Sequence, residues 1–441
     1  MKDYRSDLTD IFMSAVSHAE PEELVRSRVF MDRDCLVIDS SFTCTPKKIF
    51  MFAFGKAAAG MAKGFMSVCK VDKGVVASNV ISEFPENINV IKASHPMPDE
   101  GSLTAAEKML ELAEEADEKT LCVFLVSGGG SAILCSPAFG ITLQDKMQTF
   151  SLLIRSGASI EDVNTVRRHI SGVKGGRLLE AARPAHCVTL AISDVISGSP
   201  NAIASGPTFY DDSTWGDALE VIERYGLRDK LPERVISTVE KGYNRQLPDT
   251  LKKGSHEYNY FLIGTNLDGM QAAADKASEM GYKVRVYSQL VCDVSEAAEA
   301  MASSVGENLY SEKDLRPVCM IYGGEVTVNV RGSGKGGRCQ QLALDYLLKD
   351  KPAHTFALCA STDGMDGPTD AAGAYADCEQ DIEGAEAYLL DNDAYAFFKK
   401  NGALFKTGLT GTNINDLYII IIPASQIKAG LQALAEERSY I

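Results

Sequence analysis

The chain has 441 residues, 45% of them hydrophobic and 24% charged, which suits two or three globular domains with full cores and leaves no place for disorder. A formal net charge of −16 excludes a nucleic-acid backbone as partner, since that would call for a basic face, but leaves room for a small anion held by a few local cations. Eleven cysteines without a C-x-x-C pair or a cysteine–histidine metal spacing indicate a reducing compartment, and no apolar run approaches the roughly 20 residues of a membrane span.

In chain order, Leu8, Ile11, Phe12, Ala15 and Val16 recur at helical spacing among acids, which predicts an amphipathic helix rather than a signal peptide, and hence a cytoplasmic protein. Apolar runs at 48–54, 74–78, 88–91, 121–126 and 188–192 alternate with helical patterns, as in a parallel sheet covered on both faces. Asn164 to His169 opens a helix expected to continue through Lys174 to Arg177, whose arginines could clamp a carboxylate or form a solvated face. The polar stretch 245–257 is the linker candidate, dividing the chain into domains 1–250 and 251–441. Beyond it the pattern predicts strands at 259–263, 283–287, 318–322, 325–330 and 355–360, and helices at 265–280, 294–310 and 339–349. The fold class is therefore α/β, with two α/β domains.

Five apolar runs end in glycine-rich turns that carry charge or open a helix, an arrangement that exposes backbone N–H groups to an anion. Gly55-Lys56 sets a mobile cation at such a turn. Ser127, Gly128, Gly129, Gly130 and Ser131 form the strongest phosphate-cradle candidate, because three glycines before a helix cost stability unless something must approach the backbone closely. No G-x-x-x-x-G-K-[ST] is present. Gly332, Gly334 and Gly337 fit G-x-G-x-x-G, so a dinucleotide site is weighed, but Lys335 and Arg338 among Gly334, Gly336 and Gly337 suit a polyphosphate better. Asp363, Asp366 and Asp370 crowd one turn, Glu325 follows Gly323-Gly324, and Asp194 follows the strand at 188–192. Carboxylates at strand ends could hold Mg²⁺ or accept a hydroxyl proton. His95 lies in a proline-rich turn, where rigid loop geometry is the simpler account. Cys339, beside Arg338 at a predicted helix start, is expected to favour the reactive thiolate, against the alternative of a buried, inert thiol. These features together predict an enzyme that handles phosphoryl groups.

FGKAA, HPMPDE, SGGGSA, NTVRRHIS with KGGRL, IASGPT, GGE with VRGSGKGGR, TDGMDGPTDAAGA and TGTNINDL stand here in the order and spacing of the glycerate 2-kinase family, which the chain resembles from about Phe54 to Ile422. The resemblance implies a Rossmann-like N-terminal domain, a smaller C-terminal MOFRL domain and a cleft between them. It implies transfer of the γ-phosphoryl of ATP to a hydroxyl of D-glycerate, usually at C2, with a divalent metal taken as Mg²⁺. The family's catalytic lysine and arginine fall on Lys56 and Arg338. Asp194 is the candidate catalytic carboxylate, with Asp194, Glu325 and Asp363 as metal candidates. The partners so implied are a small hydroxy acid and a nucleotide, in a monomer or homodimer. The chain departs from the family pattern at Cys339 and Gln341 after the arginine, in the Val195–Pro200 loop where further acids are usual, and at Leu409. An NAD(P)H-dependent hydroxypyruvate reductase and a non-catalytic ligand-binding homologue are the alternatives.

Overall fold

The structure, a computed structural model, describes residues 3–196, 198–254, 258–311, 315–351 and 353–439. Ser197, in the loop singled out above, and residues 255–257 of the expected linker lie outside the described residues. The chain forms two compact units, Pro21–Ile263 and, discontinuously, Met1–Glu20 with Gly264–Ile441. The boundary thus falls at 263/264 rather than 250/251, and the first helix joins the C-terminal unit.

The N-terminal unit opens with a small antiparallel sheet, β1 (Val29–Asp32), β2 (Cys35–Ile38) and β3 (Phe42–Cys44), which no sequence pattern announced. Its main sheet contains β4 (Lys48–Phe54), β5 (Lys73–Ser78), β6 (Ile88–Lys92), β7 (Thr120–Val126), β8 (His186–Ile192) and β9 (Asn259–Gly264) in the spatial order β6-β5-β4-β7-β8-β9. The pairs from β6 through β8 are parallel. β7 is buried along its whole length and β4 along all but its first residue, as central strands covered by helices on both faces must be. Counted from β4, this is the 3-2-1-4-5-6 order of a Rossmann-like fold, and the chain reverses direction across the sheet between β4 and β7. The helix read from Asn164 to Arg177 is broken: Ile160–His169 is helical, Gly175 and Gly176 have φ of +61° and +79°, and Arg177–Ala181 is a separate turn. A Cβ on Gly176 would lie 2.4 Å from Cβ of Leu251, so close packing as well as backbone conformation stops the helix there.

The C-terminal unit holds β10 (Lys283–Val286), β11 (Val318–Gly324), β12 (Phe356–Ser361), β13 (Gly373–Asp377), β14 (Leu404–Phe405) and β15 (Asp416–Ile422), ordered β10-β11-β15-β12-β13-β14. Among the described residues only β10 and β11 pair as parallel strands; β15 runs antiparallel between β11 and β12. The expected strand at 325–330 is absent, since 324–327 make only isolated bridges to Leu290 and Asp293. The first helix, Tyr4–His18, is capped by Asp3 and buries the five apolar residues its spacing predicts. They pack with Met270, Ala273, Ile419 and Ile421 into one core. No helix among the described residues is long and apolar enough to cross a membrane.

Phe12 is fully buried and meets Phe405 edge-on, with ring centroids 5.2 Å apart. Phe12→Ala should therefore cost about 3–5 kcal/mol. Hydrogen exchange should accelerate in β15 and the helix Asn266–Glu279, not in β4 or β7; acceleration confined to β4 and β7 would refute the discontinuous unit.

Candidate active site

In the N-terminal unit the ends of β4 and β7 meet at the reversal of strand order, the usual place for a ligand in an open α/β sheet. Gly55 has φ of +122°, and a Cβ there would stand 2.2 Å from Ser127 Oγ. Lys56 N donates to Gly128 O at 2.9 Å, and Ala57 N donates to Ser127 Oγ at 3.0 Å, so Ser127 satisfies a donor at the start of the helix Ala58–Val68. The triple glycine has a steric cause. A Cβ on Gly128 would sit 2.1 Å from Asp194 Oδ2, and one on Gly129 would lie 3.0 Å from the His95 ring and 3.1 Å from Lys56 Cγ. The turn is bare because Lys56, Asp194 and His95 rest on it. The structure thus gathers Lys56, Asp194 and Ser127–Ser131, and adds His95. At the far end of the turn Ser131 Oγ lies 2.8 Å from Ser205 Oγ, which in turn donates to Asn164 Oδ1 at 3.1 Å.

In the C-terminal unit the antiparallel course of β15 brings Asp416, its first residue, into register with Gly324 at the end of β11 and Ser361 at the end of β12. Asp416 is fully buried, and Arg338 meets it with a two-pronged contact: Nε to Oδ2 at 2.6 Å and Nη2 to Oδ1 at 3.1 Å. A third N–H, on Nη1, donates to Glu325. Burial opposes the guanidinium charge, but Asp416, with Glu325, outweighs it and raises the Arg338 pKa above its ordinary value. Tyr418 hydroxyl also donates to Asp416, at 3.2 Å. Asp416 was not singled out from the sequence. The available signal was a carboxylate directly before six apolar residues, which must be buried and therefore paired.

The glycine loop before Arg338 is not an open row of donors. Arg331 N and Gly332 N donate to Asn392 Oδ1, Ser333 N to Asp391 Oδ1, Gly334 N to Asp391 O and Lys335 N to Asp393 Oδ1. Cβ atoms on Gly332 and Gly334 would meet residues 391 and 393 at 2.1 and 2.3 Å, so these glycines serve close packing. At the start of the helix Arg338–Leu348, Cys339 N and Gln340 N donate to the Asp366 carboxyl at 3.0 and 2.8 Å. The G-x-G-x-x-G match consequently follows no strand, and the position its pyrophosphate would take is filled by a side chain. A cavity of about 480 Å³ adjoins the loop, lined by Lys335, Gly336, Gly337, Arg338 and Asp363 among others.

The carboxylates read from the sequence divide in role. Asp363 Oδ1 accepts from Ser361 Oγ and Met365 N, both at 3.0 Å. Asp370 is exposed, pairs with Lys406 at 2.7 Å and accepts from the Tyr395 hydroxyl at 2.7 Å. Asp194 and the pair Glu325 and Asp363 belong to different units. Among the described residues no group of three or more metal-ligating side chains is assembled. Cys339 is fully buried, and burial, with Asp416 and Asp366 adding and Arg338 opposing, pushes its thiol well above the ordinary range. The expected reactive thiolate is therefore corrected to a packed thiol, because desolvation exceeds the attraction of the neighbouring arginine.

A family model described as a domain of unknown function (DUF4147) matches residues 7–240, and one described as the MOFRL family matches residues 318–416. The chain is 36% identical to a glycerate 2-kinase of Pyrococcus horikoshii, covering 93% of this chain and 96% of that one. It is 40% identical to a D-glycerate 2-kinase of Thermotoga maritima, over 85% and 91% of the two chains. The chain belongs to the glycerate 2-kinase family. The crystal structure of a glycerate kinase from Thermotoga maritima superposes with a TM-score of 0.82 at 35% identity, covering 95% of this chain and 99% of that one. For a glycerate 2-kinase family member, the filled helix start at Asp366 is a physical reason to set the reductase alternative aside.

Two outcomes follow for the C-terminal unit. Brief alkylation of the native protein should label the exposed Cys378 and leave Cys339 unmodified by mass spectrometry; rapid labelling of Cys339 would refute its burial. Asp366 is lifted from 3.8 to about 7 by burial, with Asp416 adding and the N–H groups of Gln340 and Cys339 opposing. Between those values the folded state holds a proton that the unfolded state has released, so the Asp366 contribution to stability declines as pH rises through this window. Asp366→Asn cannot ionise, and its Tm relative to the parent should climb from pH 4 to pH 7; a constant offset would show that Asp366 does not titrate there.

Proposed function

We propose that this chain transfers the γ-phosphoryl group of ATP to a hydroxyl of D-glycerate, giving 2-phosphoglycerate and ADP. The observation that carries the reading is Lys56 and Asp194 seated together on the glycine turn at the reversal of strand order. The relatives named glycerate 2-kinase along nearly the whole chain support it. A nucleotide phosphate donor belongs to that activity; ATP is the donor proposed.

Phosphoryl transfer asks mainly for positioning and for charge aimed at the equatorial oxygens. Lys56 supplies a movable point charge. Arg338 supplies a fixed one: three of its five N–H bonds are held by Asp416 and Glu325, which leaves two for the transferring group. Asp194 is the candidate acceptor for the proton of the attacking hydroxyl. Ser131 and the backbone of Gly128 and Gly129, with Lys335, Gly336 and Gly337, are the candidate phosphate contacts. An Mg²⁺ ion carried by nucleotide phosphates would need only one or two protein carboxylates, and Asp194, Glu325 or Asp363 is the candidate to supply one. When bound, such an ion neutralises phosphate charge.

Incubation with ATP, Mg²⁺ and D-glycerate should yield ADP and 2-phosphoglycerate by NMR, whereas hydroxypyruvate should not oxidise NADH. Lys56→Met and Arg338→Lys should each lower kcat by roughly 10²-fold or more in a protein that stays folded, Lys56→Met with Tm little changed and Arg338→Lys with a lowered Tm, since the lysine keeps charge but loses the fork that holds the buried Asp416. Near-normal kcat in either variant would remove that residue from the mechanism.

A further inference from the structure

Beside the glycine turn of the N-terminal unit opens a second cavity, of about 540 Å³. Gly129, Ser131 and Cys135 line it from the turn side, and Phe150 from the helix Leu143–Arg155. Its cations are Arg155 and the partly buried Arg167. The Arg167 guanidinium lies over the Phe150 ring, 4.7 Å from its centroid, and donates to Asn164 Oδ1 at 3.0 Å and to Ser205 Oγ at 3.5 Å. Both partners are neutral.

Behind the same loop the chain buries more positive charge without an acid. Lys174 donates to the carbonyls of Leu134 and Ala204, each at 3.1 Å, and Lys146 to those of Ser136 and Ile170, each at 3.4 Å. Arg177 donates to the carbonyls of Arg168 and Lys174. The nearby carboxylates are engaged elsewhere, Asp211 with Arg168 at 3.0 Å and Asp249 with His169 at 3.1 Å. Among the described residues no carboxylate lies within ion-pair distance of Lys146, Arg167, Lys174 or Arg177. Burial lowers Lys146 to about 8 and Arg167 to about 10, the expected response of cations lacking a counter-charge. A buried charge without a partner costs several kcal/mol, and basic groups crowded around one loop favour an anion in the space left open.

We propose that this cavity seats the carboxylate of the acceptor hydroxy acid on Arg167. The inference rests on the kinase reading and assigns the residue that selects its substrate class. A guanidinium held over a ring, with its Cζ 4.7 Å from the centroid, can present its outer edge as a fork, which matches a planar carboxylate. The hydroxyls of Ser131 and Ser205 and the amide of Asn164 stand next to it, suited to the hydroxyl groups of a short polyhydroxy acid. Gly129 is shared between this cavity and the Lys56 side chain, so an acid anchored at Arg167 extends its hydroxyl end toward the lysine. Arg167 is a specificity-determining residue in this arrangement, distinct from the charges that act on the transferring group.

The test combines kinetics with direct binding. In Arg167→Lys and Arg167→Met, KM for D-glycerate should rise about 10- to 100-fold, the loss of a charged hydrogen bond, while KM for ATP stays within about 2-fold. Calorimetric titration of wild-type protein with D-glycerate should show binding that glyceramide, the uncharged amide, fails to reproduce. That arm does not depend on a variant folding. Unchanged glycerate affinity with a raised KM for ATP would assign the anion to the nucleotide and overturn the proposal, as would equal binding of acid and amide. Carboxylate-dependent binding through Arg167 without any ADP formation would overturn the kinase reading and leave this site standing.

Discussion

A carboxylate with no exposure to water cannot stand alone, and Asp416 makes the Arg338 cluster of the C-terminal unit depend on that fact. Its position is set by the sheet: β15 enters antiparallel between β11 and β12, so its first residue arrives at the edge where the other two strands end. Arg338 is drawn to that edge and fixed by two contacts, which fixes the first residue of the helix Arg338–Leu348. Asp366 then closes the helix start, and residues 391–393 hold the preceding loop. Remove the Asp416 charge and the guanidinium loses the partner that opposes its desolvation.

The two units solve the same electrostatic problem with opposite signs. Around Arg338 acids exceed cations, and the acids serve to aim one guanidinium. Around Arg167 cations exceed acids, and main-chain carbonyls carry the excess. Carbonyl dipoles can solvate an ammonium group without neutralising it, as the carbonyls of Ser136 and Ile170 do for Lys146, so basic groups rather than acids surround this loop. The overall charge of −16 conceals this local reversal.

Much of the parallel half was legible because period and burial coincide there. β4 and β7 are apolar at almost every position, as doubly covered strands must be, and the Tyr4–His18 helix buries the residues its spacing selects. The C-terminal sheet was harder to order. An isolated run such as 416–422 looks alike in either direction, and only pairing partners distant in sequence decide that β15 runs antiparallel. The apolar run 325–330 satisfies strand composition but finds no continuous partner. For the discontinuous unit, spacing shows that the first helix is amphipathic; it does not show which core receives it.

Glycine taught the sharpest lesson about the site. In the turn 128–130 and in the loop 332–337 the sequence shows the same thing, missing side chains between a sheet and a helix. The reason differs. The first turn is bare because the side chains of Lys56, Asp194 and His95 lie against it; the second is bare largely because residues 391–393 and Asp366 pack into it and take its N–H groups. A glycine records that something comes close, not what comes close. Distinguishing a ligand from a neighbouring loop requires knowing which donors are already engaged, and those partners lie between 26 and 61 residues away in the chain, beyond the reach of any local pattern.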